Sequence, residues 1–125
     1  MTAATAAAHV LVIEDNELVA SAMRILFEAA GRRTSIAGCI AEALGIAAND
    51  PARLVLLDLT LPDGDGLSLV QPLRASGCRT VVALTGRDEP ETRARCLAAG
   101  CADVFVKPVP VRELIARTSV WLDVE

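Results

Sequence analysis

The feature that most constrains this chain is a regular hand-over between short β-branched apolar runs and segments of helical period. His9–Ile13 (HVLVI) is apolar and stops at Glu14-Asp15-Asn16, which predicts a strand buried on both faces. Asn16 can cap a helix whose apolar positions Leu18, Ala22, Ile25, Leu26 and Ala29 keep helical spacing, and Gly31 stands where a C-terminal glycine belongs. A weak second strand follows at 34–37, then an Ala-rich helix at 40–48 closed by Asn49-Asp50-Pro51. LVLL at 54–57 is a third buried strand running into Asp58; the loop signals Pro62-Asp63-Gly64-Asp65-Gly66 precede a helix at 67–75. TVVAL at 80–84 is a fourth strand, 89–99 a helix stopped by Gly100, and 104–106 a fifth strand ending at Lys107-Pro108. Val111, Leu114, Ile115, Thr118 and Leu122 mark a last amphipathic helix.

Five β-then-α units with short connections specify an α/β fold: a doubly wound five-stranded parallel sheet with helices on both faces. The 125 residues leave room for one such domain, 9–123, behind a flexible leader at 1–8. With aromatics at only 2%, the core must be packed from Val, Leu, Ile and Ala. The formal charge of −4 argues against direct nucleic-acid binding. No apolar run reaches the roughly 18–20 residues of a membrane span, and 1–8 carries no basic residue of a signal peptide, so a cytoplasmic location is expected. The four cysteines form no CxxC pair and the chain has one histidine, so reduced thiols packed as small apolar groups are expected rather than a zinc site.

In an open α/β sheet, ligands bind beyond the carboxyl ends of the strands. Glu14 and Asp15 follow strand one, Asp58 strand three, Thr85 strand four and Lys107 strand five. Taken singly, each has a bland explanation: Asp15 as a helix cap, Thr85 as turn chemistry, Lys107 as a solvated charge. Their shared position is what is informative. Three neighbouring carboxylates repel unless a cation compensates, and hard oxygen ligands without His or Cys suit Mg²⁺ or Mn²⁺. A carboxylate beside such an ion can accept a phosphoryl group as an acyl phosphate, with Lys107 and Thr85 available to the remaining phosphoryl oxygens.

The sequence resembles a response-regulator receiver domain from two-component signalling. The resemblance runs from about His9 to Leu122 and is strongest in LVLLDLTLPDGDGL at 54–67, VVALTG at 81–86 and FVKPV at 105–109. It implies the flavodoxin-like strand order 2-1-3-4-5 and a cis Lys107–Pro108 peptide. It implies Asp58 as phosphoacceptor and Asp15, Asp58 and the Thr60 backbone carbonyl as Mg²⁺ ligands, with Glu14 acting through water. Thr85 and Lys107 would hold the phosphoryl group. The donor would be a sensor histidine kinase or phosphotransfer protein. Readout would fall to a downstream protein or an output domain outside this chain, with the domain itself a monomer or weak dimer. No enzymatic turnover is implied beyond self-catalysed phosphorylation and slow autodephosphorylation.

Three departures from the family pattern stand out. The acidic pair is Glu-Asp where many relatives have Asp-Asp. Val104 occupies the position of a common aromatic, with Phe105 on the opposite face of its strand. Of the charges that build a dimer in one branch, Arg117 and Asp103 can pair, but Ala102 replaces an acid. Two other readings compete. A haloacid-dehalogenase-like phosphatase also uses an aspartyl phosphate, but it needs an acid two positions after the nucleophile, where Thr60 stands. The other is an interaction module of the same fold that is never phosphorylated.

Overall fold

The structure, a computed structural model, describes residues 9–123; the expected leader at 1–8 lies outside the described residues. Its five-stranded sheet consists of β1 (His9–Ile13), β2 (Arg33–Ala37), β3 (Leu54–Asp58), β6 (Thr80–Thr85) and β7 (Asp103–Val106). They are all parallel and ordered β2-β1-β3-β6-β7. Between β3 and β6 lies a small antiparallel ribbon, β4 (Thr60–Leu61) with β5 (Gly64–Asp65). Leaving the ribbon aside, this is the expected 2-1-3-4-5 order. The ribbon itself has no apolar alternation to reveal it, being two residues a side.

Every residue of β1 and β3 is buried, as their unbroken apolar runs require. Their side chains divide between two cores. Val10, Val12, Leu54, Leu56, Val82, Leu84 and Phe105 meet α1 (Glu17–Ala29) and α5 (Val111–Leu122) on one face. Leu11, Ile13, Val55, Leu57, Val81, Ala83 and Val104 meet α2 (Ile40–Asn49), α3 (Val70–Ala75) and α4 (Pro90–Ala99) on the other. Val104 and Phe105 therefore point to opposite sides, as their adjacency predicts.

Two local expectations are corrected. The helix anticipated at 67–75 begins as a 3₁₀ turn, Gly66–Leu69, and is α-helical only from Val70. Pro72 sits in its first α turn, where the missing amide costs no interior bond. The second correction concerns α1. The apolar positions marked by its spacing are mostly outside: Leu18 is 84% exposed and Ile25 64%, and Ala22 and Ala29 are exposed too. The sheet is covered instead by Ala20, Met23 and Phe27. This helix is apolar on two stripes, and the one with the larger Met and Phe side chains removes more surface from water. Its Asn16 cap is as expected, with Oδ1 accepting from the amides of Leu18 at 3.0 Å and Val19 at 3.1 Å.

All four thiols are free, and Cys78, Cys96 and Cys101 are buried; burial pushes the Cys101 thiol up to about 12. The three buried thiols pack in the core between the sheet and its helices, Cys78 Sγ also accepting the Ala52 amide at 3.3 Å, while Cys39 stands half-buried at the start of α2. Among the described residues, no helix is long and apolar enough to cross a membrane.

Candidate phosphoacceptor site

Parallel register assembles the site. Ile13 pairs with Leu57, so Glu14 leaves β1 level with Asp58, the last residue of β3. Asp58 pairs with Leu84, and Thr85 stands one step further; Thr85 pairs with Val106, and Lys107 one step beyond that. Backbone bonds continue this stepwise arrangement past the strand ends. Leu59 N–H donates to Leu84 O at 3.2 Å and Lys107 N–H to Thr85 O at 2.7 Å. Residues separated by more than 90 positions thus share one rim.

Glu14, Asp15 and Asp58 each place a carboxylate oxygen within 4.8 Å of the others. Glu14 and Asp58 are buried, with side chains 3% and 8% exposed, whereas Asp15 is open to solvent. The Lys107 ammonium lies between the buried pair, with Nζ 3.0 Å from Glu14 Oε1 and 3.2 Å from Asp58 Oδ2. The other Asp58 oxygen accepts the Thr60 amide at 3.0 Å. One ammonium faces three carboxylates, so the rim keeps a surplus of negative charge. Burial raises the pKa of Glu14 above its ordinary 4.5; Lys107 opposes the rise and Asp58 adds to it. Burial works against the Lys107 ammonium as well. Its hydrogen bond to Glu14 and the charge of Asp58 outweigh that and hold its pKa above 10.5.

Such a rim suits a hard divalent cation: three close carboxylates, and no imidazole or thiol among these groups. Thr85 is buried at the end of β6, and its Oγ1 accepts the Arg87 amide at 3.1 Å, which leaves the hydroxyl hydrogen free to donate. The Lys107–Pro108 peptide is cis, as the resemblance implies.

Two residues of the site escaped the sequence reading. Gly66 donates its amide to Leu59 O at 3.0 Å, and a Cβ there would collide with the backbone oxygen of Asp58. Only glycine lets the chain return so close to the acceptor residue. In the sequence it belongs to the Asp-Gly part of the 54–67 resemblance, but composition and spacing give it no role of its own. Asp63 binds the start of α2, and a signal for that exists: Cys39 is a poor capping residue, so the first amides of α2 needed an acceptor from elsewhere.

The family model for the response regulator receiver domain matches residues 10–119. The chain belongs to this family. Among curated relatives, the KDP operon transcriptional regulatory protein KdpE of Escherichia coli K12 is 35% identical over 114 residues, covering 91% of this chain and 51% of that protein. The chain spans about half the length of the curated relatives it matches. A response regulator protein from Burkholderia pseudomallei was solved with a phosphorylated aspartic acid, a calcium ion and citrate. It is 29% identical with a TM-score of 0.81, over 87% of this chain and 65% of that one. The receiver domain of sensor histidine kinase PA1611 from Pseudomonas aeruginosa was solved with magnesium coordinated in its active-site cleft. It is 26% identical with a TM-score of 0.82, over 95% of this chain and all of that one. Receiver domains of response regulators are signalling modules of two-component systems, and this chain is one.

Proposed function

We propose that Asp58 is the phosphoacceptor of this receiver domain, 9–123. The observation that carries the reading is the bridge of Lys107 Nζ between Glu14 and Asp58, in a rim where three carboxylates gather within 4.8 Å. Asp15, Asp58 and the Thr60 backbone carbonyl would hold Mg²⁺, with Glu14 acting through water. When bound, the ion supplies the positive charge that lets a dianionic phosphoryl group approach this acidic rim.

The protein's own groups do the rest. An Asp58 carboxylate oxygen forms the new O–P bond while the N–P bond to a phosphohistidine breaks, and the electron pair leaves with the imidazole. The Lys107 ammonium pairs with a second phosphoryl oxygen as charge builds there. The Thr85 hydroxyl donates to a third, and its inward movement shifts the loop into α4 and redistributes a two-state equilibrium. Val104 puts no aromatic ring on that face of β7, so readout runs through backbone and loop rather than through rotation of a ring. Thr60 gives no acid two positions after Asp58, and its amide already donates to Asp58 Oδ1. The aspartyl phosphate therefore hydrolyses slowly, and outside phosphoesters are not turned over.

The donor is a sensor histidine kinase or a phosphotransfer protein of the cytoplasm. The output is a domain outside this chain or a separate protein, and the length of the curated relatives supports the former. The domain itself is a monomer or weak dimer that makes no contact with nucleic acid. Incubation with acetyl phosphate and Mg²⁺, with the modified residue located by mass, tests this. One phosphoryl group on Asp58 is expected, not formed when a chelator is present from the start and absent from Asp58→Asn. Stoichiometric labelling of that variant would remove Asp58 from the role.

A further inference from the structure

We propose that Asp63 is a positioning residue for the divalent cation, holding the Thr60 carbonyl in place by clamping the loop tip to α2. The inference rests on the metal-dependent reading above. The loop leaves β3 at Asp58, folds into the β4–β5 ribbon and returns at Gly66. Thr60 is fixed on one side, where its amide donates to Asp58 Oδ1 at 3.0 Å. Only Pro62 and Asp63 remain at the tip between the two short strands. Asp63 fastens that tip: Oδ1 accepts the Ile40 amide at 2.9 Å and Oδ2 the Ala41 amide at 3.2 Å.

These are the first two amides of α2, which has no side-chain cap of its own because Cys39 precedes it. They would otherwise be orphan donors at the positive end of the helix. The same hydrogen bonds, that from Ile40 foremost, hold the Asp63 carboxyl below its usual range, so it stays ionised. Gly64 lies flush on the helix, since a Cβ there would come within 2.9 Å of Ile40 Cδ1. The helix is itself anchored, with Ala43 and Ala47 fully buried against the sheet. The Thr60 segment is thus tied at both ends to rigid parts of the fold. Magnesium tolerates little departure from octahedral geometry, so a carbonyl ligand on an untethered loop would lose affinity to the cost of ordering it. Asp63 does not need to touch the ion to matter.

Calorimetric titration of the chain with Mg²⁺, alongside thermal unfolding, separates this role from two simpler ones. Asp63→Ala should weaken Mg²⁺ binding about tenfold. Asp63→Asn removes the charge but keeps one oxygen, which can accept from two successive amides as Asn16 Oδ1 does at α1, and should stay within about twofold of the parent. In the Asp63→Ala background, Cys39→Ser supplies a local cap to α2; it should recover the melting temperature but not the Mg²⁺ affinity. Equal affinity in Asp63→Ala and the parent would overturn the proposal. So would an Asp63→Asn as weak as Asp63→Ala, which would mean charge alone, or recovery of affinity by Cys39→Ser, which would mean helix capping alone. A parent chain that binds no Mg²⁺ would sink the functional reading itself, and this inference with it.

Discussion

The two edges of the sheet carry ion pairs of similar chemistry and opposite fate. At the amino-terminal edge, Arg33 makes two hydrogen bonds to Asp50, with both side chains about half exposed, 51% and 46%. His9 lies behind them, Nε2 2.8 Å from Ser35 Oγ and Nδ1 3.6 Å from Asp50. Arg33 and Asp50 neutralise each other there, while His9 Nδ1 is buried without a hydrogen-bond partner among the described residues. At the carboxyl-terminal edge, Glu14 and Asp58 are buried around a single ammonium, with Asp15 beside them. The first edge is neutralised locally and contributes little beyond tidiness; the second is left short of positive charge and can recruit it. The difference lies in burial and stoichiometry, not in residue type.

The sharpest way to break the functional edge without touching a charge is Gly66→Ala. The added methyl meets the Asp58 carbonyl oxygen and the Leu59 Cα, so the loop must move. A loss of about 2–3 kcal/mol in urea unfolding is expected, together with markedly slower acetyl-phosphate labelling. Unchanged labelling would mean that this approach does not set the acceptor's position.

A smaller effect distinguishes the edges by the sign of their pH dependence. Glu14 is raised above its ordinary 4.5, so its contribution to stability is complete below 4.5 and fades as pH rises through the raised value. Asp50 is lowered from 3.8 by its hydrogen bond from Arg33, so its contribution is present above 3.8 and fades as pH falls through the lowered value. The stability difference between the metal-free parent and Glu14→Gln should therefore fall as pH climbs from 4.5. Over the same interval Mg²⁺ affinity should rise in the parent and stay flatter in the variant. A difference independent of pH would deny that Glu14 titrates there.

The least effect is expected from Arg33→Ala. About 0.5 kcal/mol or less should be lost, because exposed pairs are screened by water and salt, and Mg²⁺ affinity should not change. A shift in that affinity would show that the two edges are coupled through the sheet.

Much of this was legible beforehand. Short apolar runs alternating with helical segments specify strands of one parallel sheet, and the residue after each run then emerges at one rim; Glu14, Asp58, Thr85 and Lys107 follow from that pattern. Helix faces were less legible. In α1 two apolar stripes compete, and periodicity cannot say whether Leu18 and Ile25 or Met23 and Phe27 will meet the sheet. The Asp103 pairing was half visible: Arg117 lies 3.9 Å away, but Arg93 is closer at 3.2 Å and also donates to Val104 O.

By itself, then, the order of residues settled the α/β architecture, the strand sequence along the chain and the set of groups gathered at the rim, because local period and strand length are properties of short segments. Only the folded molecule decided which carboxylates are buried, that Lys107 bridges two of them, that Gly66 admits no side chain, and that Asp63 caps a helix more than 20 positions away. Those outcomes depend on distances between segments that no local pattern encodes.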